Sequence, residues 1–203
     1  MTRRFEGAQL VVATHNRGKL EEIADLLAPY GVTLTSNDDH GLPEPEETED
    51  TFAGNARIKA HAAARATGLP ALADDSGLTI DALGGAPGVR TADWAETGQG
   101  RDFGMAMERA WREIGASGAT APFTAAFNCT LVLAWPDGHD EVFEGRMPGQ
   151  VVWPPRGEQG HGYDPVFQPD GFDVTFGEMD RWQKNRISHR ARAFERLVAG
   201  CFA

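Results

Sequence analysis

The sequence predicts an α/β protein, because strand and helix patterns alternate along it. Gln9–Ala13 is a continuous apolar run that predicts a buried strand, and Val32–Thr35 predicts a second one. Between them lies a helix, whose apolar residues recur at helical spacing at Leu20, Ile23, Leu26 and Leu27. Pro29 and Gly31 then end the helix.

The rest of the chain continues this alternation. A helix rich in alanine is predicted over 51–67, with Asp50 as its N-cap, and the strand that carries Asp74 and Asp75 follows it. Apolar residues alternate over Thr124–Trp135, which predicts a long strand. The other predicted elements are a helix over Phe103–Ile114, a strand over Glu141–Gly145 that pairs antiparallel with the long strand, a further strand over Gln150–Trp153, and a last helix over Ser188–Val198.

Composition narrows the classes of function. The 203 residues include 30 Asp and Glu against 19 Lys and Arg, a formal charge of −11. This balance argues against a nucleic-acid-binding protein, since affinity for polyanions comes mainly from clustered basic residues. The negative net charge is still compatible with a small phosphorylated ligand, provided that basic residues converge locally. The length and the hydrophobic fraction of 41% predict one domain over residues 1–203.

Neither membrane insertion nor secretion is expected. No apolar stretch approaches the roughly 18 residues of a membrane span. The basic start Met1–Arg4 is not followed by the apolar segment of a signal peptide, so we expect a cytoplasmic protein. Cys129 and Cys201 are far apart in apolar segments and are expected to be core thiols.

Two adjacent carboxylates dominate the segment Leu72–Leu78. The pattern predicts that a short strand ends here and delivers Asp74, Asp75 and Ser76 into a glycine turn. Successive side chains of an extended chain point to opposite faces. One aspartate is therefore expected to coordinate a metal ion, and the other is expected to have an orienting role. Mg²⁺ suits such a sparse set, because water and substrate phosphates complete its coordination. The alternative is an Asx turn in which Asp75 bonds its own backbone.

The polar segment Thr14–Lys19 lies between the first strand and the first helix. A helix N-terminus attracts anions through its free N–H groups and its dipole, and Lys19 adds a point charge. The segment is not a Walker A loop, because one glycine is missing and Leu20 follows the lysine. Phosphate binding and an ordinary helix cap are both open interpretations.

Three other polar segments are candidate ligand sites. The acidic loop over 37–50 is either a solvated surface or the source of a second metal ligand, Glu46 or Glu47. Gly160–Pro165 places two rings among glycines, which suits stacking on a base, although a turn with a packed tyrosine has the same pattern.

The third of these segments is 184–190. Here Ser188 is predicted to cap the last helix, with His189 and Arg190 in its first turn. Cations in that turn cost about a few tenths of a kcal/mol. An anion or an electron-rich base edge opposite them would explain their position, and a surface arginine without a partner is the alternative.

These segments together resemble the inosine triphosphate pyrophosphatase family, also called XTP/dITP diphosphatases. The match follows the family's order from about Leu10 to Val198. The motifs that carry it are Thr14–Lys19, Glu46-Glu47-Thr48, Thr51-Phe52, Asn55-Ala56, Lys59-Ala60, Ala73-Asp74-Asp75-Ser76-Gly77, Gly84-Gly85-Ala86-Pro87-Gly88, Gly162-Tyr163-Asp164-Pro165 and Ser188-His189-Arg190.

The resemblance implies an α/β fold with a long, twisted mixed sheet, flanking helices and two lobes around a central cleft, usually in a homodimer. It also implies hydrolysis of deaminated purine nucleoside triphosphates (ITP, dITP and XTP) to the monophosphate and pyrophosphate, with Mg²⁺ as the cofactor. The expected partner is therefore a purine nucleotide, and neither nucleic acid nor a membrane.

The resemblance also assigns roles to residues. Asp75 would bind magnesium and activate water, Ser76 would contact substrate beside it, and Glu46 or Glu47 would be the further metal ligand. The triphosphate would be bound by Thr14, His15, Asn16, Arg17, Gly18 and Lys19. The sugar and base would be surrounded by His161, Gly162, Tyr163, Asp164, Lys184, His189 and Arg190.

Two positions depart from the family pattern. His161 stands where the family commonly has phenylalanine; an imidazole can stack on a base, but with less area and with a charge when protonated. Asp93 stands at a position that is commonly basic, so no ligand role is assigned to the loop after Gly88. Two other functions stay open: a Maf-like pyrophosphatase that acts on other modified nucleotides, and a nucleotide-binding protein without catalysis.

Overall fold

The computed structural model describes residues 2–15 and 17–202. Its helices are α1 (Arg17–Leu27), α2 (Phe52–Thr67), α3 (Phe103–Ala116), α4 (Arg181–Ile187) and α5 (His189–Leu197), with a π-helical turn over Val198–Phe202. Its strands are β1 (Gln9–Val12), β2 (Thr33–Ser36), β3 (Ala71–Ile80), β4 (Glu96–Thr97), β5 (Gly100–Arg101), β6 (Phe123–Ala134), β7 (Asp140–Val151) and β8 (Phe167–Pro169).

The main sheet is mixed, as predicted. Within the described residues its strand order is β2-β1-β3-β6-β7-β8. β1 pairs in parallel with β2 on one side and with β3 on the other, whereas β7 and β8 are antiparallel. The parallel pairs place the ends of β1 and β2 at one edge, so the loops that carry Thr14 and Asp38 leave the sheet together. The α/β fold with a mixed sheet and flanking helices is therefore confirmed.

The chain divides into two compact units. The first contains the chain up to Asp75, Thr130–Glu144 and the chain from Ala193 onward. Alanine is the best helix former, and its small side chain lets a helix approach a sheet closely, which explains the composition of α2. One core cluster of this unit is made of small residues, namely Val11, Ala13, Ala56, Ala60, Ala63, Ala64, Ala71, Ala73, Val132 and Ala134.

The second unit contains Ser76–Cys129 and Gly145–Arg192 and has an aromatic core. The Phe127 ring lies 4.7 Å from the Phe167 ring, edge to face, and 5.9 Å from the Phe176 ring. Aromatic pairs at these distances add to the free energy of ordinary apolar burial.

The strand that carries the two aspartates is longer than predicted. β3 does not end at Asp74–Ser76 but continues through Gly77 to Ile80, so both the predicted glycine turn and the Asx-turn alternative are wrong. Leu78 and Ile80 are fully buried in the second unit, and this burial extends the strand past the polar residues.

Other element boundaries also differ. α1 begins at Arg17, so Gly18 and Lys19 lie in its first turn rather than in a preceding loop. The N-cap of α2 is Thr51, whose Oγ1 accepts a hydrogen bond from Gly54 N at 3.0 Å, and not Asp50. Thr51 has the extended backbone of an N-cap, which decides between the two polar residues.

Towards the C-terminus, two predicted strands form a single strand, and one helix was not predicted. The strands predicted over 141–145 and 150–153 form the single strand β7, which ends at Val151. α4 was not predicted, because it is short and mostly polar; Asp180 caps it by accepting from Gln183 N at 2.8 Å. Ser188 Oγ accepts from Ala191 N, so the predicted cap of the last helix is confirmed.

Both cysteines are free and buried, as expected of core thiols. Across residues 2–15 and 17–202, no helix is both long enough and apolar enough to span a membrane.

The β7·β8 pairing yields a test of the fold. A Cβ at Gly149 would overlap the Gln168 carbonyl oxygen and lie 2.8 Å from the Phe167 ring. Gly149→Ala is therefore expected to lower the free energy of unfolding by about 1–3 kcal/mol. Denaturant unfolding measures this change.

The matched control is Gly115→Ala in α3, where an added Cβ meets no atom within 4 Å. It is expected to leave stability unchanged or to raise it by up to about 1 kcal/mol. Equal unfolding midpoints for Gly149→Ala and the wild type would contradict the close approach of β8 to β7.

Candidate functional site

Asp74 and Asp75 lie buried in the middle of β3, on opposite faces of the strand. Asp74 Oδ1 accepts a hydrogen bond from Lys19 Nζ at 2.9 Å, so the strand holds the lysine of the first turn of α1. Asp75 faces a different partner.

That partner is Lys59 of α2, which is only 6% exposed. Its Nζ lies 2.6 Å from Glu47 Oε1 and 3.9 Å from Asp75 Oδ1. The Lys59 ammonium group thus lies close to a carboxylate of the acidic loop and to a carboxylate of β3. Of the two candidate glutamates, Glu47 makes this contact. We call Lys19, Glu47, Lys59, Asp74 and Asp75 the acid–lysine cluster.

Burial and like charges perturb this cluster. The pKa of Asp75 is raised to about 6: burial is the largest cause, the charges of Glu47 and Asp74 add to the rise, and those of Lys59 and Lys19 oppose it. Burial acts to lower the pKa of Lys59, but Asp74, Asp75 and Glu47 outweigh it, so the net pKa of Lys59 is raised. Three carboxylates against two ammonium groups leave a net negative charge in a poorly solvated place, which favours a bound cation.

The donor set fits Mg²⁺. Glu47 and Asp75 supply hard carboxylate oxygens from two different segments that meet at one ammonium group. No group of three or more His, Cys, Asp or Glu side chains in the described part of the chain is arranged to hold a metal ion. Mg²⁺ typically uses one or two carboxylates together with water and phosphate oxygens, so a two-carboxylate site suits it better than a transition metal.

The predicted phosphate-binding segment surrounds the start of α1. Arg17 and Gly18 are exposed there, and no acidic residue lies in the first turn to oppose an anion. His15 Nδ1 donates to Asp38 Oδ1 at 2.6 Å, which ties the segment to the loop after β2. Thr14 is half-buried, and the predicted site residue Asn16 lies outside the described residues.

In the second unit, Asp164 joins the glycine-rich loop to α4. Its buried Oδ2 accepts from His161 N at 2.8 Å and from Lys184 Nζ. A Cβ at Gly160 would overlap this carboxylate, and its φ of +74° also requires glycine. The structure therefore brings together the predicted residues His161, Asp164 and Lys184.

The remaining predicted base contacts are mostly buried. The His189 ring stacks on Phe127, with 5.0 Å between the centroids, and Arg190 is 7% exposed, which excludes the surface-arginine interpretation. Tyr163 is 1% exposed and packs edge to face with Phe103. Its side chain is part of the aromatic core, and burial raises the pKa of its hydroxyl.

Sequence reasoning did not identify Lys59 as a site residue. It noted the motif that contains Lys59 but assigned the lysine no role. The available signal was a lysine on the apolar face of an alanine-rich helix, because lysine is almost never fully buried without a partner. Glu47, Asp75 and Lys19 were all predicted, and the structure brings these three to the same cluster as Lys59.

Comparison with known proteins identifies the family of this chain. A family model described as the Ham1 family matches residues 10–200. The chain belongs to the Ham1 family. The resemblance inferred from the sequence motifs is thereby confirmed.

Relatives of this Ham1-family chain match over its whole length. A protein of Ruegeria pomeroyi named dITP/XTP pyrophosphatase is 70% identical over 202 residues, which cover 100% of this chain and 99% of the relative. A protein of Rhodospirillum centenum with the same name is 58% identical and covers 99% of this chain and 98% of its own length.

Solved Ham1 structures share the fold. The HAM1 protein of Coxiella burnetii matches with a TM-score of 0.90 and 36% identity, covering 95% of this chain and 98% of its own. The Ham1 protein of Staphylococcus aureus matches with a TM-score of 0.85 and 32% identity, covering 94% and 96%.

The raised pKa of Asp75 predicts an effect of pH on stability. The folded protein holds the Asp75 proton more tightly than the unfolded chain does, so this stabilisation is complete below about pH 4 and lost as pH rises through about 6. Asp75→Asn removes the cost of the buried charge. Without metal, the variant is expected to be more stable than the wild type at pH 8 by up to about 3 kcal/mol, and the gain should shrink toward pH 4.

Thermal unfolding in EDTA at pH 8, 6 and 4.5 measures this difference. Asp74→Asn is the control, because it removes the carboxylate that accepts from Lys19 and is expected to lower the Tm. An Asp75→Asn protein that is less stable than the wild type at pH 8 would contradict the electrostatic description of the cluster.

Proposed function

We propose that this protein is a nucleoside triphosphate pyrophosphatase that hydrolyses deaminated purine nucleotides (ITP, dITP and XTP) to the monophosphate and pyrophosphate. The observation that carries the proposal is the acid–lysine cluster, in which a buried lysine joins two carboxylates suited to Mg²⁺. The names of the Ruegeria and Rhodospirillum relatives support the choice of substrates.

Mg²⁺ is the proposed cofactor, with Asp75 and Glu47 as its protein ligands. When bound, the ion neutralises phosphate charge and so supplies Lewis-acid stabilisation to phosphoryl transfer. Lys59 holds the two carboxylates near each other before the ion arrives, since its Nζ lies within 3.9 Å of both.

Asp75 is the proposed general base. In the metal-free cluster the pKa of Asp75 is raised to about 6, so its carboxylate is already largely ionised at neutral pH and available to accept a proton from water. The water oxygen forms a bond to the α-phosphorus, its proton passes to an Asp75 oxygen, and the bond between the α-phosphorus and the bridging oxygen breaks. Pyrophosphate leaves with the electron pair of that bond.

Lys19 and the N-terminus of α1 are proposed to bind the triphosphate. Asp74 fixes the position of the lysine by accepting its hydrogen bond, and the first turn of α1 contains no acidic residue. Preorganised positive groups of this kind stabilise charge that develops on the phosphate oxygens.

Base selectivity is assigned to hydrogen-bond donors of the second unit, Lys184, His189 and Arg190. Hypoxanthine and xanthine present a 6-keto oxygen, which accepts hydrogen bonds, whereas adenine presents an amino group there. In a site built from donors, the amino group of adenine would face protein N–H groups, so neither group would find an acceptor. Sites that depend on such hydrogen bonds discriminate between substrates by about 10⁴-fold. Asp164 orients Lys184 by accepting from its Nζ.

Assembly and location remain proposals. The homodimer is carried by the family resemblance alone. The single domain over 1–203 rests on length and composition, and the cytoplasmic location rests on the sequence pattern. Binding of nucleic acid is not expected of a chain with a formal charge of −11.

Pyrophosphate release over a nucleotide panel tests the proposed function. With Mg²⁺, we expect kcat/KM for ITP, dITP and XTP to exceed that for ATP by about 10³-fold or more. Chelation of Mg²⁺ should abolish turnover, and Asp75→Asn should lower kcat by about 10²-fold or more, as expected when a general base is lost.

Equal kcat/KM values for ITP and ATP would refute the assigned selectivity. Turnover confined to pyrimidine or other modified nucleotides would favour the Maf-like alternative, and tight ITP binding without pyrophosphate release would favour a non-catalytic protein.

A further inference from the structure

The acidic loop over 43–50 has little structure of its own. Among the described residues, its backbone takes part in no hydrogen bond to another backbone group. Its carboxylates at Glu44, Glu46, Glu49 and Asp50 are exposed and repel one another. Something outside the loop's own backbone must therefore fix Glu47, which the proposed function takes as a metal ligand.

Asn55 of α2 supplies an anchor. Its side chain is buried, with 2% exposure, and its Oδ1 accepts a hydrogen bond from Glu49 N at 2.9 Å. Asn55 is itself fixed by the first turn of the helix, where its N–H donates to Thr51 O. A rigid side-chain acceptor thus holds the loop backbone two residues after Glu47.

Gly54 supplies a second, independent contact. A Cβ at this position would lie 2.6 Å from Glu49 Cβ and 2.8 Å from Glu49 Cγ, closer than real Cβ contacts come. The loop therefore lies directly on the helix backbone at Gly54. The added Cβ would also lie 2.9 Å from Thr51 Oγ1, so a side chain there would displace the loop and crowd the N-cap of α2.

The anchor and the buried lysine lie on the same face of α2, because Asn55 and Lys59 are four residues apart. Two residues of chain span at most about 7 Å, so fixing the backbone at Glu49 limits where the Glu47 carboxylate can lie. In the structure it lies 2.6 Å from Lys59 Nζ.

We infer that Asn55 is a positioning residue of the active site. By holding Glu49 N, it presents the Glu47 carboxylate beside Lys59 and Asp75, and Gly54 makes room for the loop to lie there. The inference deepens the proposed function and rests on it for the role of Glu47 as a metal ligand. Residues that orient metal ligands typically affect metal affinity by about 10–100-fold when they are replaced.

Two variants remove the two contacts separately. Asn55→Leu keeps the same branched arrangement of four side-chain heavy atoms but removes the acceptor for Glu49 N. Gly54→Ala pushes the loop off the helix while improving helix propensity. Gly115→Ala is the matched control, because it makes the same chemical change in a helix where the added Cβ meets nothing.

Three measurements on the substrate-free protein are made for each variant. Mn²⁺, which shares the oxygen ligands of Mg²⁺, reports metal affinity by electron paramagnetic resonance. A glutamate-specific protease, with cleavage sites mapped by mass spectrometry, reports how well the acidic loop is held. Thermal unfolding reports stability.

We expect both variants to bind Mn²⁺ about 10-fold or more weakly than the wild type and to be cleaved faster within the acidic loop. The Tm of Asn55→Leu should stay near that of the control, because Glu49 is exposed and water can replace its lost partner. Gly54→Ala is expected to lower the Tm as well, because its Cβ also crowds the Thr51 cap. A merely structural role would lower the Tm without weakening Mn²⁺ binding in the fraction that is folded.

Wild-type Mn²⁺ affinity and wild-type loop cleavage in both variants would overturn the inference. Gly54→Ala decides the question alone if Asn55→Leu fails to fold. A failure of the proposed function would look different, because the wild type itself would then bind no Mn²⁺ and release no pyrophosphate, while loop cleavage would still show whether Asn55 holds the loop.

Discussion

The buried ammonium group of Lys59 is the interaction on which the candidate site depends. Carboxylates repel one another and lose hydration when they are buried, so Glu47 and Asp75 would not stay near each other without a positive charge beside them. Lys59 supplies that charge from the buried face of α2, within 3.9 Å of both carboxylates. The same arrangement leaves the cluster with a net negative charge, so a divalent cation is a natural further member of it.

Three segments of the fold produce this arrangement: β3, α2 and the acidic loop. The long strand β3 places two adjacent carboxylates on opposite faces. Asp74 therefore accepts a hydrogen bond from Lys19, and Asp75 forms an ion pair with Lys59. The small residues of α2 let the helix pack against the sheet with Lys59 inside. The acidic loop has no regular structure and takes its position from contacts with α2 at Gly54 and Asn55.

The sequence predicted most of the elements because their apolar periodicity is strong, as in β6 and α3. It also predicted Asp75 and Lys19, because polar residues follow apolar runs there, and the pair that contains Glu47, from the acidic loop and the family motif. It failed where tertiary burial overrides a local signal: the Asp-Asp-Ser-Gly segment looks like a turn but is held extended by the buried Leu78 and Ile80. The role of Lys59 depends on which side chains meet in space, and spacing along the chain does not encode that.

A double-mutant cycle on Lys59 and Asp75 tests the central claim most directly. Lys59→Met, Asp75→Asn and the double variant are compared with the wild type by denaturant unfolding at pH 8 in metal-free buffer. Both side chains are more than nine-tenths buried, so the account predicts a coupling free energy of at least about 1 kcal/mol, above that of most exposed ion pairs. Single-variant effects that add to within about 0.5 kcal/mol would show that the two charges do not stabilise each other and would contradict the account.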